Sequence, residues 1–285
     1  MTVDVEDYFQ VHAFSDIINP GEWNSYPSRV ECNTLKILDT FARYDVRATF
    51  FVLGWVAKKF PKLTLDIYSA GHHVGCHGFA HRAIHTGSAA DFRSDIKSAK
   101  AVLEDAIGAP VTSYRAPSYS ITAATVWALE ILGEEGFVYD SSIFPVMHDN
   151  YGIPGAPRFP YVHMLSGGQY IREFPPSTIR FLGVNLPVAG GGYLRLFPYS
   201  ITAWALRRIN EVEQQPAMVY LHPWEFDPEQ PRIPAKWKSR FRHYQNLEST
   251  EEKCRRLLEE FSWGPMEQVF PEKAMAGGPL GLVQQ

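Results

Sequence analysis

From Thr2 to Asp140 the chain alternates short β-prone runs with longer amphipathic ones, a pattern that few folds accommodate. The β-prone runs are Thr2–Glu6, Arg47–Leu53, His73–Cys76, Thr112–Arg115 and Phe137–Asp140. Between them, Val30–Tyr44, Pro61–Ala70, Ser88–Ile107 and Ala123–Glu135 read as helices. Val30, Leu35, Ile37, Leu38 and Phe41 give the first its apolar face, and Gly71, Gly108 and Gly136 end the others. Parallel strands need a crossover of this kind, so the expected class is α/β with a parallel sheet or barrel. The apolar run ATFFVLGWVA, residues 48–57, suits a strand buried on both faces. It is well short of the roughly 20 residues of a membrane-spanning helix.

Beyond Ser142 the alternation degrades. Seven prolines and eight glycines between Pro145 and Gly192 mark loops and short irregular strands. Tyr199–Gln214 reads as a helix and Ala217–Leu221 as a strand. Thr250–Phe261 reads as a helix, with Ser249 or Thr250 as N-cap and acids in its first turn. Glu267–Phe270 is a candidate last strand. We read residues 1–270 as one domain with an irregular excursion over 142–198, and 271–285 as a flexible tail. The chain starts only three residues before Asp4, so its first strand reads as clipped.

Composition narrows the class further. Hydrophobic residues are 45% and charged residues 20%, enough for a large core and too apolar for global disorder. The net charge of −4 gives no sign of a nucleic-acid surface. Cys32, Cys76 and Cys254 are odd in number and far apart, which fits a reducing compartment rather than a disulfide framework. MTVDVEDYF carries acids and no basic stretch, so no secretory leader is expected and the expected location is cytoplasmic.

Polar residues gather at the C-terminal ends of the expected strands. Asp4, Glu6 and Asp7 follow the first; three carboxylates so close repel one another unless a cation is near, although an exposed acidic loop would also explain them. Five of the ten histidines lie between His72 and His85. His77 and His81 are four apart, so on a helical turn both imidazoles reach one ion; on an exposed helix such a pair is simply solvated. Arg115 follows the fourth strand, as catalytic partner or structural ion pair. Asp140 follows the fifth, as functional acid or turn cap. His222 follows AMVY, as catalyst or hydrogen-bonded core residue. Recurrence at strand ends is how a barrel active site is assembled.

The ordered set DVED, ATFFVLGW, GHHVGCHGFAH, RAPSYS, YDSS and LHPWE resembles the polysaccharide deacetylases of carbohydrate esterase family 4, the NodB homology domain. The resemblance covers about residues 2–225. The variants DVEDYF, RAPSYS, GGGYLRLFPY and LHPWEFD, with EEKCRRLLEEF, look like the subgroup encoded at exosortase/PEP-CTERM exopolysaccharide loci. The resemblance implies an irregular (β/α) barrel and a hydrolase that removes N-acetyl groups from amino sugars of the N-acetylglucosamine type. It implies Asp4 as catalytic base, with His77 and His81 as metal ligands. The third ligand is implied to be Glu6, with Asp7 as competitor, because Val5 stands where many members carry a second aspartate. Arg115 is implied to orient the base, the Ser118 N–H to face the oxyanion with Tyr119 as the displaced alternative, Asp140 to tune the histidine, Leu221 to line the acetyl pocket and His222 to act as general acid.

The implied cofactor is a divalent metal, zinc first, with cobalt, nickel or manganese as alternatives. The expected partner is an N-acetylated saccharide, with no nucleic acid, no membrane span, and a homo-oligomer left open. The alternatives are a hydrolase of peptidoglycan or of a non-sugar or cyclic amide, and a saccharide-binding barrel without catalysis. His72, His73 and His85 read as structural or surface residues and Cys76 as a small buried one. Gly190–Gly192 with Tyr193 reads as a substrate-lining loop or a turn, and Glu225 carries no assignment.

Overall fold

The computed structural model describes residues 1–148, 151–188 and 190–269. Its strands are β1 (Thr2–Val5), β2 (Thr49–Val52), β3 (His73–Cys76), β4 (Ser113–Tyr114), β5 (Tyr139–Asp140), β6 (Tyr161–Met164), β7 (Tyr170–Glu173), β8 (Thr178–Phe181), β9 (Val184–Pro187) and β10 (Tyr220–Leu221). The first crossovers are α1 (Val30–Arg43), α2 (Gly54–Lys59) with α3 (Pro61–Ser69), α4 (Ala89–Ile107) and α5 (Ala128–Glu134). One sheet takes the order β10-β1-β2-β3-β4-β5-β7-β6 and is parallel except for the β6/β7 pair. It curls into a half-barrel of the irregular (β/α) type. Beside its β10 edge the Ser177 N–H donates to the Met218 carbonyl (3.4 Å) and the Met218 N–H to Ser177 Oγ (2.7 Å).

Register assigns the two faces. Thr2 pairs with Tyr220 and Thr49, and Asp4 with Phe51, so these side chains share the concave face. Val3 pairs with Leu221 and Phe50, and these join Val5, Val52, Val74 and Cys76 in the main apolar cluster under the helices. The concave face is instead polar around the wholly buried Arg115.

Three expectations change. The 142–198 segment is more regular than its prolines and glycines suggest. They separate short strands, two of which join the main sheet through β5 and β7, while β8 and β9 form a separate antiparallel hairpin. After α6 (Gly191–Leu196), α7 (Tyr199–Arg207) and α8 (Trp237–Tyr244) comes α9 (Thr250–Glu260). Ser249 does not cap α9: its Oγ donates to the Asn246 carbonyl, 2.8 Å, whereas Ser88 does cap α4 in a reciprocal box with Asp91. The last strand candidate is a helix, α10 (Met266–Val269), whose Val269 N–H bonds Pro265 and whose Glu267 accepts from Thr49 and Ser113. The expected flexible tail lies outside the described residues.

Candidate active site

β1 delivers Asp4 to the concave face and, two residues on, Glu6; both are buried. Asp4 Oδ1 accepts from Arg115 Nη1 at 2.6 Å. That guanidinium is fixed on every side. It donates to Thr2 Oγ1 (2.9 Å), the Ser141 carbonyl (3.2 Å) and Ser141 Oγ (2.8 Å), and stacks 4.3 Å from the Phe51 ring. A buried arginine so engaged fixes the Asp4 carboxyl group in one orientation.

Past β3 the chain turns through Gly78, at φ +72°, and His81, at φ +48°. His77 and His81 therefore converge from an irregular turn rather than the helical face expected, with ring centroids 5.3 Å apart. His77 Nδ1–H donates to the Arg115 carbonyl, 2.8 Å, which leaves Nε2 as its free lone pair. Burial pushes the His77 pKa down to about 4, so the ring is neutral and able to ligate. His81 Nε2 lies 2.7 Å from Glu6 Oε2, yet that buried oxygen has no well-directed hydrogen bond. Burial raises the Glu6 pKa, but His81, His222 and His77 outweigh it and hold the carboxyl well below the usual range. Ligand atoms of Glu6, His77 and His81 all lie within 4.8 Å of one another. Two nitrogens and an orphaned carboxylate oxygen in a buried cluster fit a divalent cation.

Asp7 is excluded from that cluster by its own bonds. Its Oδ2 accepts from Ser28 Oγ (2.6 Å), the Arg29 N–H (2.9 Å) and the Val30 N–H (3.1 Å), and Oδ1 from the Tyr8 N–H (3.0 Å). Asp7 thus braces the start of α1.

His222 follows β10, with Nε2 3.8 Å from both Asp4 Oδ2 and Glu6 Oε1. Its other nitrogen, Nδ1, is 3.2 Å from Glu225 Oε2, a close contact whose N–H is not aimed along it. The His222 backbone N–H donates to the same oxygen at 2.9 Å. Burial works against charge on His222, but Glu225, then Glu6 and Asp4, carry its pKa up to about 9. Glu225 Oε1 accepts from the buried Arg195 Nε at 2.8 Å, and Arg195 also binds the carbonyls of His243, Gln245 and Arg242. Trp224 donates Nε1–H to Glu6 Oε1 (3.1 Å) and lies flat against His222, centroids 5.1 Å apart.

Two expected residues face the wrong way. Asp140 pairs in register with Tyr114 and Glu173, and Tyr114 with Cys76, so it points to the convex face. Its Oδ1 accepts from Ser142 Oγ (2.5 Å), and Ser142 Oγ accepts from the Ala116 N–H (2.7 Å). Asp140 therefore braces the loop that carries Ser118, and the acid at His222 is Glu225. Leu221 lies with Val3 under the helices; its neighbour Tyr220 faces inward, 5.7 Å from His222 between ring centroids. Ser118 is half-buried at φ +56°, and the Tyr119 N–H is engaged by the Ala116 carbonyl (3.0 Å), which leaves Ser118 as the oxyanion candidate of the two. Gly190, at φ +94°, lies so close to Tyr220 that a Cβ would sit 2.3 Å from its ring; the GGGY segment packs on the site's wall.

Arg195, Tyr220 and Glu225 were not legible as site residues. The available signal was the spacing His222-x-x-Glu225, which forms a capping box at a short 3-10 turn.

A curled parallel sheet with a two-histidine, one-carboxylate cluster and a separate aspartate–histidine pair at its strand ends defines an α/β fold equipped for hydrolysis. Residues 23–136 match the family model described as polysaccharide deacetylase, and residues 141–271 match a domain of unknown function, DUF3473. A peptidoglycan-N-acetylglucosamine deacetylase of Bacillus cereus is 33% identical over 98 residues, 34% of this chain and 36% of that protein. A peptidoglycan deacetylase of Helicobacter pylori is 29% identical over 116 residues, 41% of this chain and 38% of that protein. The chain thus spans little more than a third of the length of these curated relatives. The crystal structure of a protein from Mycobacterium smegmatis assigned as a polysaccharide deacetylase superposes with a TM-score of 0.64 at 18% identity, covering 100% of this chain and 93% of that one, a likeness of fold. Residues 23–136 thus carry the polysaccharide deacetylase match, in a chain that shares its fold with the Mycobacterium smegmatis structure.

Proposed function

We propose that residues 1–270 act as one metal-dependent catalytic unit that removes N-acetyl groups from N-acetylglucosamine-type sugars of an exopolysaccharide or its precursor. The observation that carries this reading is the juxtaposition of Glu6, His77 and His81 with the Arg115-bound Asp4 and with His222. A divalent ion held by those three ligands, zinc first, would polarise the amide carbonyl and make water a better nucleophile. Asp4, fixed by Arg115, takes the proton from the attacking water. The Ser118 N–H faces the developing oxyanion, a contact typically worth about 3 kcal/mol. His222, held protonated by Glu225, gives a proton to the leaving amine. Acid and base are thus separate groups, one oriented by a guanidinium and the other held protonated by carboxylates.

The exopolysaccharide assignment is supported by the motif variants. Peptidoglycan is the second reading, favoured by the names of the two curated relatives. Acetate release from N-acetylglucosamine oligomers, from de-esterified exopolysaccharide and from peptidoglycan fragments, measured side by side, separates them. Release from soluble oligomers or exopolysaccharide supports the first reading. Release from peptidoglycan alone supports the second, and release from none of them contradicts both.

A further inference from the structure

The β8–β9 hairpin is amphipathic, and among the described residues its outer apolar face is left exposed toward the tip. Arg180 pairs with Asn185, and Phe181 with Val184, across the ladder. Alternation along each strand puts Ile179, Phe181, Val184 and Leu186 on one face and Arg180 and Asn185 on the other. Exposure rises along the hairpin: Leu186 41%, Val184 48%, Phe181 59%, and 88% for Leu182 in the turn. Ile179, near the stem, is buried. Asn185 Nδ2–H ties the hairpin to the Pro145 carbonyl (2.8 Å), two residues before Met147, itself 80% exposed.

Charge favours one kind of partner. No Asp or Glu occurs from Phe174 to Asn210, while that stretch contains Arg180, Arg195, Arg207 and Arg208. Arg195, Arg207 and Arg208 are paired with Glu225, Glu260 and Glu213. Arg180 has no carboxylate within ion-pair distance among the described residues, and it stands beside the apolar tip. An apolar tip next to a cation that has no ion-pair partner among the described residues matches a layer of apolar chains under anionic head groups. The exposure gradient agrees: a partner met tip-first covers Leu182 before Leu186, as insertion into a planar layer does. A second copy fits less well. The four side chains expose on the order of 400 Å², so pairing them face to face falls short of the roughly 1,200 Å² of a stable specific interface.

We propose that the β8–β9 hairpin docks the molecule peripherally onto an anionic phospholipid surface, inserting Phe181 and Leu182 with Arg180 at the head groups. No helix among the described residues is long and apolar enough to cross a membrane. Three residues beyond β9, Gly190 packs against Tyr220, whose ring centroid lies 5.7 Å from that of His222. A saccharide borne on the same surface is thereby presented to the site, a consequence that rests on the deacetylase reading.

The test is flotation of the full chain with phosphatidylglycerol/phosphatidylethanolamine vesicles and with phosphatidylcholine vesicles. Three variants accompany the wild type: Phe181→Ser with Leu182→Asn, Leu182→Asn alone, and Arg180→Glu. Asn tolerates the φ of +48° at position 182, so the single variant keeps the turn even if the double variant misfolds. The wild type is expected to float with anionic vesicles, about tenfold or more better than the double variant. Arg180→Glu is expected to weaken anionic binding only. Absence of wild-type binding, equal binding by folded Leu182→Asn, or equal affinity for phosphatidylcholine overturns the proposal. So does a dimer in sedimentation that the same variants dissociate, which would assign the face to a second copy. Vesicle binding needs no turnover, so these outcomes stand apart from the deacetylase reading.

Discussion

At the scale of single residues, Asp4 and Glu225 carry different burdens, and substitution separates them. Asp4→Asn keeps the size and most of the Arg115 contacts but removes the basic oxygen. Its kcat for acetate release is expected to fall by about 10²–10⁴ with fold and bound metal unchanged. Turnover within threefold of wild type would remove Asp4 from the role of base. Glu225 acts through His222. Glu225→Gln removes the leading charge that carries the His222 pKa up to about 9, so that pKa falls. The basic limb of the kcat profile is expected to move to lower pH, and an unmoved limb would separate Glu225 from the acid. Residue type and order along the chain made Asp4, Glu6, His77, His81, Arg115 and His222 legible in advance. Asp140 and Leu221 were misplaced for one physical reason: neighbouring strand residues face opposite sides, and only the pairing register tells which faces inward.

At the scale of elements, local signals read well where they depended on neighbours in sequence and badly where they depended on partners far away. Ser88 with Asp91 forms a local reciprocal box at the start of α4. Ser249 looks equally suitable, but its hydroxyl turns to the Asn246 carbonyl. Ser88→Ala is therefore expected to cost about 1 kcal/mol and Ser249→Ala a few tenths at most, measured by urea unfolding. Equal costs would contradict the assignment of the caps. The His77–His81 turn shows the same limit. Spacing of four suggested a helix, whereas positive φ at Gly78 and His81 folds the loop so that both rings meet Glu6. The short strands expected in this segment had no assigned bounds, because the support of β6 and β7 comes from β5 and not from their own short, proline-flanked sequence.

At the scale of the whole molecule, the polysaccharide deacetylase match ends at residue 136 and the DUF3473 match begins at 141, yet one sheet crosses that boundary. The second half supplies β7 beside β5 and β10 beside β1, and with them His222, Glu225 and Arg195. A fragment of residues 1–140 would expose both flanks of a parallel sheet. It is expected to show no cooperative thermal transition, and a sharp transition in that fragment would mean the first half is autonomous. The alternation of strands and helices revealed the parallel sheet, but its closure by β10 depends on contacts across some 200 residues, which local patterning does not encode.

In the proposed mechanism Glu6, His77 and His81 hold one divalent ion on which turnover depends. The most direct measurement is acetate release from N-acetylglucosamine oligomers by chelated protein and by the same protein reloaded with zinc or cobalt, with bound metal quantified in parallel for wild type and Glu6→Gln. The expected result is one ion per chain, release only in the loaded protein, and loss of both in Glu6→Gln. Full release by the metal-free protein, or unchanged metal binding and release in Glu6→Gln, would contradict it.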